Sequence, residues 1–289
     1  MMATKGRGTF IVALMPDTAA QPDAPLIIPV TPDSAATDPT LRSVIEDLRA
    51  QTDAYVFLAG GASRMDPADQ QKLLVLFDAL AIVARRGTRL LVGDGGTQAG
   101  IMEAAGKVRE KSGYAFPLVG VVPASEIVTP SDTAADAKSK TPVDPHHSHI
   151  IAVDDRARDL TRDAWGTETQ TMYELFARLA RGRPSVAIVA NGGEIVMSEV
   201  DENVRARRPM ILIAGSGRSA DALVSLLDNT ASTVDEVATL RAKAVERDLM
   251  RRRDLFHVFQ LAGGSPDDLA RVLAERLGSF SEAPARGPG

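Results

Sequence analysis

The chain has 289 residues and no cysteine, which excludes disulfides and thiolate metal sites and fits a reducing compartment. Aromatics make up 4% of it, with one tryptophan, too few for the interleaved stacking surface that single-stranded nucleic acid needs. The net charge of −5 gives no overall basic footprint. Long hydrophobic runs are also missing: Leu73–Val83 is interrupted by Asp78 and is too short to cross a bilayer. Met1–Gly8 carries two basic residues, but Thr9–Met15 lacks a small-residue cleavage pattern, which argues against a signal peptide. A cytoplasmic protein without a membrane span or nucleic-acid partner is expected. The 44% hydrophobic content is enough for a sizeable core.

What the chain does have is a set of glycine-bearing turns, each directly after an apolar run. Gly60, Gly61 and Ser63 follow Tyr55–Leu58; Gly95, Gly96 and Thr97 follow Arg89–Val92. Asn191, Gly192, Gly193 and Glu194 follow Val186–Ala190, and Gly215, Ser216, Gly217 and Arg218 follow Met210–Ala214. Each turn precedes a helical pattern. Strand–glycine–helix joints bring bare N–H groups and positive helix ends to one edge of a sheet, where α/β proteins hold phosphate-bearing ligands.

Further apolar, β-branched runs at Phe10–Leu14, Leu26–Val30, Leu118–Val122 and His149–Val153 complete the strand pattern. Their continuous apolar character is that of strands covered on both faces. Helices are predicted over Thr40–Gln51, Asp66–Arg86, Ala99–Ser112 and Thr167–Arg181. The alternation predicts an α/β fold with a mostly parallel sheet and helices on both faces. Asp17–Pro25, Thr31–Pro39 and Thr129–Pro145 read as loops, the last long enough to be functional or mobile. A charged helical pattern runs from Val234 to Val258 and includes Arg251–Arg253, most simply a solvated face. The expected organisation is a ligand-binding domain over 1–230, a helical appendage over 231–280 and a disordered tail over 281–289.

The glycine turns match neither the P-loop, which ends in Gly-Lys-Ser/Thr, nor a clean dinucleotide fingerprint. Arg218 suits a phosphate fork at a helix start. Glu199, about a turn and a half into the helix after Gly193, can accept ribose hydroxyls or act as an acid or base, or be a solvated glutamate. In Asp144-Pro145-His146-His147-Ser148-His149, the residues His147 and His149 would share one face of an extended segment, with Asp154 nearby. No third metal ligand is fixed by spacing, so no metal is expected; such histidines also serve pockets as hydrogen-bond partners. Trp165 can stack on a base or belong to the core.

Taken in order, Gly95–Met102, Asp144–His149 with Val153–Asp155, and Gly215–Asp221 resemble the SLOG superfamily, specifically the prokaryotic LSDAT branch shared with the cytosolic N-terminal region of TRPM channels. The resemblance spans roughly Tyr55 to Leu227 and implies a Rossmann-like sheet with a pocket for nucleotide-derived ligands such as ADP-ribose or cyclic ADP-ribose. By position, Thr97 and Ile101 would line that pocket, and Gly192-Gly193 and Gly215–Arg218 would lie near the phosphates. His149 or Asp154 would contact ribose or base. The enzymatic branch resembles Pro-Gly-Gly-x-Gly-Thr-x-x-Glu; here Asn191 replaces Pro and Ile195-Val196 replace the second Gly-Thr, while Glu199 keeps the acid. Losing that Gly-Thr weakens the case for phosphoribohydrolase activity. The leading expectation is a sensor needing no cofactor, with a separate effector as partner. A nucleotide N-glycosidic hydrolase using Glu199 and an oligomeric scaffold stand as alternatives.

Overall fold

A computed structural model of the chain describes residues 24–61, 66–128, 133, 136–154, 164–228 and 251–278. The strand expected at Phe10–Leu14, most of the charged pattern from Val234, and the 281–289 tail lie outside these residues. The core is an eight-stranded sheet in the order β1-β5-β4-β3-β2-β6-β7-β8, parallel at every pairing. The strands are β1 (Leu26–Val30), β2 (Ala54–Gly60), β3 (Leu90–Asp94), β4 (Leu118–Pro123), β5 (His149–Val153), β6 (Ser185–Ala190), β7 (Met210–Ala214) and β8 (Phe256–Gln260). From β2 the chain steps one way through β3, β4 and β5, then crosses back to β6 on the other side of β2. That reversal is the topological switch point at which open α/β sheets form a crevice outside the strands' carboxyl ends.

Helices cover both faces, as parallel strands require. Helices α2 (Pro67–Leu76), α3 (Asp78–Arg85), α4 (Gly100–Lys111) and α8 (Pro266–Gly278) pack on one side, against Val56, Leu58, Val92 and Ile188. The other side carries α1 (Pro39–Gln51) and α5 (Thr169–Leu179) over Tyr55, Phe57 and Leu91. Beside them, α6 (Glu194–Arg205) and α7 (Arg218–Leu227) cover Ala187, Val189 and Leu212. Phe57 and Phe176 stack at 4.2 Å between ring centres, tying α5 to the middle of the sheet.

Two elements differ from the sequence pattern. The single helix expected over Asp66–Arg86 is interrupted at Phe77, a fully buried residue whose carbonyl is taken by Leu80 N three residues on, a tighter step than an α-helix makes. The helical pattern read through Val258 gives way to β8, which extends the sheet from β7 and places Phe259 in the core. Its Phe-His-Val-Phe-Gln sequence is β-prone, and pairing with β7 outweighs the charged helical periodicity before it.

Candidate functional site

A cleft of about 400 Å³ opens at the carboxyl ends of β2, β3, β6 and β7, on the switch point. Gly60 and Gly61 come to it from β2, Gly95 and Thr97 from β3, Gly193 and Glu194 from β6, and Arg218 from β7. Turns spread across more than 150 residues of sequence therefore share one hollow. Glu199, Glu168, Trp165, Ile195, Met102 and Thr141 complete its walls.

Besides α5, whose start carries the acidic Glu168, three helices start on this cleft, and none has a side-chain cap: α4 follows Ala99, α6 follows Gly193 and α7 follows Gly217. By contrast, α1 and α2 begin elsewhere and are capped by Asp38, accepting from Leu41 N at 2.8 Å, and Asp66, accepting from Ala68 N at 2.8 Å. A start with no side-chain cap leaves a partial positive charge and N–H groups for an anion from outside, though Ile101 N of α4 already bonds Gly61 O at 3.4 Å and Ala220 N of α7 bonds Asn191 O at 3.0 Å. The Thr97 hydroxyl in the same wall is buried without a hydrogen-bond partner, which strengthens that reading.

The turns after β6 and β7 are built as one unit. Asn191, with φ 55°, donates its side-chain amide to Ser216 O at 2.8 Å and accepts from Gly192 N at 2.7 Å. Ser216 Oγ accepts from Asn191 N at 2.8 Å, and Asp221 accepts from the N–H groups of Gly215 and Gly217 at 2.7 and 3.0 Å. Asn191 thus locks neighbouring turns together. Arg218 also sits at positive φ, 50°, a strained conformation for a side-chain-bearing residue that the surrounding bonds hold. Its guanidinium lies across Gly193, where a Cβ would come within 2.9 Å of it.

The floor is acidic. Glu199 is 7% exposed, and its pKa is pushed up to about 8, first by burial and then by the charges of Glu168 and Asp94. It is therefore protonated at neutral pH. Glu168, also buried, accepts from Gly166 N at 2.8 Å, which holds the turn carrying Trp165.

Behind the β3 wall lies a cluster that the sequence pattern did not reveal as a unit. Fully buried His147 has Nδ1 2.8 Å from Asp144 Oδ2 and Nε2 2.8 Å from Asp94 Oδ1. Burial alone would lower its pKa, but the two carboxylates outweigh burial and raise it to about 9. Asp94 Oδ1 also accepts from Gly96 N at 2.7 Å, which ties the cluster to the glycine turn.

The remaining expected site residues fall elsewhere. Gly96 packs against Gly120 and Ile150, and Ile101 packs beneath Gly60, so both support the cleft without lining it. Asn191, Gly192, Gly215, Ser216 and Gly217 likewise shape the turns from behind. His149 does not share the site: it stands at the amino end of β5, opposite the cleft, with Nδ1 2.9 Å from Ser148 Oγ. Asp154 follows β5, two strands away from β3, and donates its N–H to Val30 O at 2.7 Å. Ser63 lies outside the described residues. Among the described residues no group of three or more His, Asp or Glu could hold a metal ion, and His147 is enclosed by its two carboxylates. No described helix is long and apolar enough to cross a membrane.

TRPM7, the transient receptor potential cation channel subfamily M member 7, of Rattus norvegicus and that of Mus musculus are each 26% identical to this chain over 184 residues. The match takes in 53% of this chain and 10% of each channel, so the chain spans about a tenth of these relatives' length. A molybdenum cofactor binding protein from the phototrophic bacterium Rippkaea orientalis superposes with a TM-score of 0.45 and 12% identity, over 78% of this chain and 96% of that one. The family described as SLOG in TRPM, prokaryote, matches residues 53–266, a span that contains every turn of the cleft. The chain belongs to that family.

Proposed function

We propose that the cleft binds a nucleotide-derived ligand of the ADP-ribose or cyclic ADP-ribose type, and that the protein is a sensor whose occupancy is passed to a separate effector protein. The observation that carries this reading is the meeting of three helix starts without side-chain caps on one hollow. Arg218 supplies a planar fork for phosphate oxygens. Trp165 supplies a face for the base, and the protonated Glu199 carboxyl both donates to and accepts from ribose hydroxyls. The cleft volume falls in the range of roughly 300–1,000 Å³ usual for small-molecule sites. Homo-oligomer formation belongs to the same proposal and is read by light scattering.

The test is a thermal-shift and calorimetric panel of ADP-ribose, cyclic ADP-ribose, NAD and AMP. A ligand at a hundred times its Kd stabilises the fold by about 2.7 kcal/mol, a readily measured rise in Tm. A flat response across the panel overturns the reading.

One observation favours a second reading, hydrolysis of an N-glycosidic bond. Glu199 is a buried carboxyl holding its proton at neutral pH beside a second carboxyl, Glu168, the pairing that general acid catalysis uses. Free base released from AMP by the wild type, and lost in Glu199→Gln, supports it; an inert wild type removes it.

A further inference from the structure

The β3 wall of the cleft is a glycine turn with a strap laid against it. Thr97 and Val143 form an antiparallel bridge, Gln98 donates its N–H to Pro142 O at 2.9 Å, and Asp144 donates its N–H to Gly96 O at 3.0 Å. Thr141, at the leading end of this strap, lines the cleft. The trailing end is fastened behind the wall, where His147 bridges Asp94 and Asp144 in full burial.

Chemistry fixes the state of that bridge. A neutral imidazole has one N–H, so one of the two carboxylates would face a ring lone pair in a place water does not reach. A charged ring donates to one oxygen of each, Asp144 Oδ2 and Asp94 Oδ1, while Asp144 Oδ1 and Asp94 Oδ2 stay buried without a hydrogen-bond partner. Arg109 of α4 supplies a second cation: it donates to Phe116 O at 2.6 Å and His146 O at 2.5 Å, and its charge acts on Asp144. Two carboxylates, one imidazolium and one guanidinium make a balanced buried network. On the outer side, His146 faces Glu110 at 3.5 Å, and His149, two residues further on, bonds to Ser148 Oγ.

We infer that this clasp sets the ligand affinity of the cleft from behind: with His147 charged, the strap holds Thr97 and the Gly95-Gly96 turn in their binding positions, and with His147 neutral the strap lifts and affinity is lost. The inference rests on the nucleotide-binding reading of the cleft. None of Asp94, Asp144 and His147 lines the cleft, so His147 is a positioning residue. The ring keeps its proton up to about pH 9, so the strap is shut at neutral pH and opens on the alkaline side. Thermodynamic reciprocity adds that bound ligand must tighten the hold of His147 on its proton.

The experiment measures ADP-ribose affinity by calorimetry from pH 7 to 10 for the wild type and for Asp144→Asn. The variant keeps the shape of the side chain but removes one of the two charges that hold the proton. The wild type should lose affinity by about fivefold or more through pH 9, and the variant should show the same loss at lower pH. Glu199 titrates in the same range and feels Asp94, so both proteins carry Glu199→Gln and the remaining difference between the curves isolates the clasp. Superimposable pH profiles, or a lower Tm in the variant with unaltered affinity, overturn the inference. Should Asp144→Asn fail to fold, ring NMR of His147 in the wild type decides: its titration must move to higher pH with ADP-ribose bound, and no movement overturns the inference. A wild type that melts normally but binds neither ADP-ribose nor AMP at pH 7 overturns the nucleotide reading and this inference together; binding with a flat pH profile overturns this inference alone.

Discussion

The carboxylate of Asp144 occupies the space that a side chain on Gly106 would need: a Cβ built there would lie 2.6 Å from Asp144 Cγ and closer still to an oxygen. Glycine in the middle of α4 costs about 1 kcal/mol of helix propensity relative to alanine. Close approach of α4 to the clasp explains why that cost is tolerated. Gly106→Ala should therefore destabilise the protein by about 1–3 kcal/mol instead of stabilising it, because backbone and a buried carboxylate must move apart. Urea unfolding measures this; a midpoint at or above that of the wild type would show that the helix and the clasp are not in contact.

Arg49 and Arg183 cap each other's helices. Arg49 of α1 donates to the carbonyls of Arg178, Leu179 and Arg181 at the end of α5, the last at 2.9 Å. Arg183, just past α5, donates in turn to the carbonyls of Arg49 and Thr52 at the end of α1. Each guanidinium satisfies carbonyls that a helix end leaves without partners and opposes its negative end. Removing either should cost about 1–2 kcal/mol, and lysine should not restore it because a point charge cannot bridge several carbonyls. A double-mutant cycle on Arg49→Ala and Arg183→Ala should show coupling, since both act on the same pair of helix ends; strict additivity would disprove the reciprocal capping.

The parallel sheet and the glycine turns were legible in the sequence because both leave local marks. Strands such as Val186–Ala190 are buried on both faces and so read as unbroken apolar runs, and the following turns need glycine where backbones approach. The clasp was not legible, because Asp94 and His147 lie 53 residues apart and nothing local to either announces the other. His149, next to it in the same motif, was expected at the ligand and instead sits at the far end of its strand, since parallel register alone decides which end faces the cleft. Glu168 stands just before α5, where nothing in the local sequence points to a cleft. Only the fold brings it within electrostatic reach of Glu199.

Gly193 separates the binding role of the cleft from its structural one. A methyl group there would come within 2.9 Å of the Arg218 guanidinium, the movable end of a flexible side chain. Gly193→Ala should therefore leave the unfolding free energy within about 1 kcal/mol of the wild type while displacing Arg218 and weakening ADP-ribose binding. Arg218→Ala should weaken it further, by about 1.5–3 kcal/mol for the loss of a charge-assisted phosphate contact. Calorimetry on both variants provides the check, and full affinity in Arg218→Ala would place the phosphates elsewhere.

Glu199 makes stability depend on pH in a direction that can be worked out. Its pKa stands at about 8 in the folded protein against 4.5 in the open chain, because burial, Glu168 and Asp94 all disfavour the carboxylate. A group raised in this way contributes stability that is fully present below pH 4.5 and is lost as pH rises through about 8. Glu199→Gln keeps the neutral shape without a proton to lose. The variant should match the wild type near pH 5 and become the more stable of the two above pH 8, with the gap opening between those limits. Thermal melts of both proteins at pH 5, 7 and 9 measure it. A gap that does not grow with pH would mean that the carboxylate is already solvated and charged in the folded state, and would remove both its proton-donating contact to ribose and its fitness as a general acid.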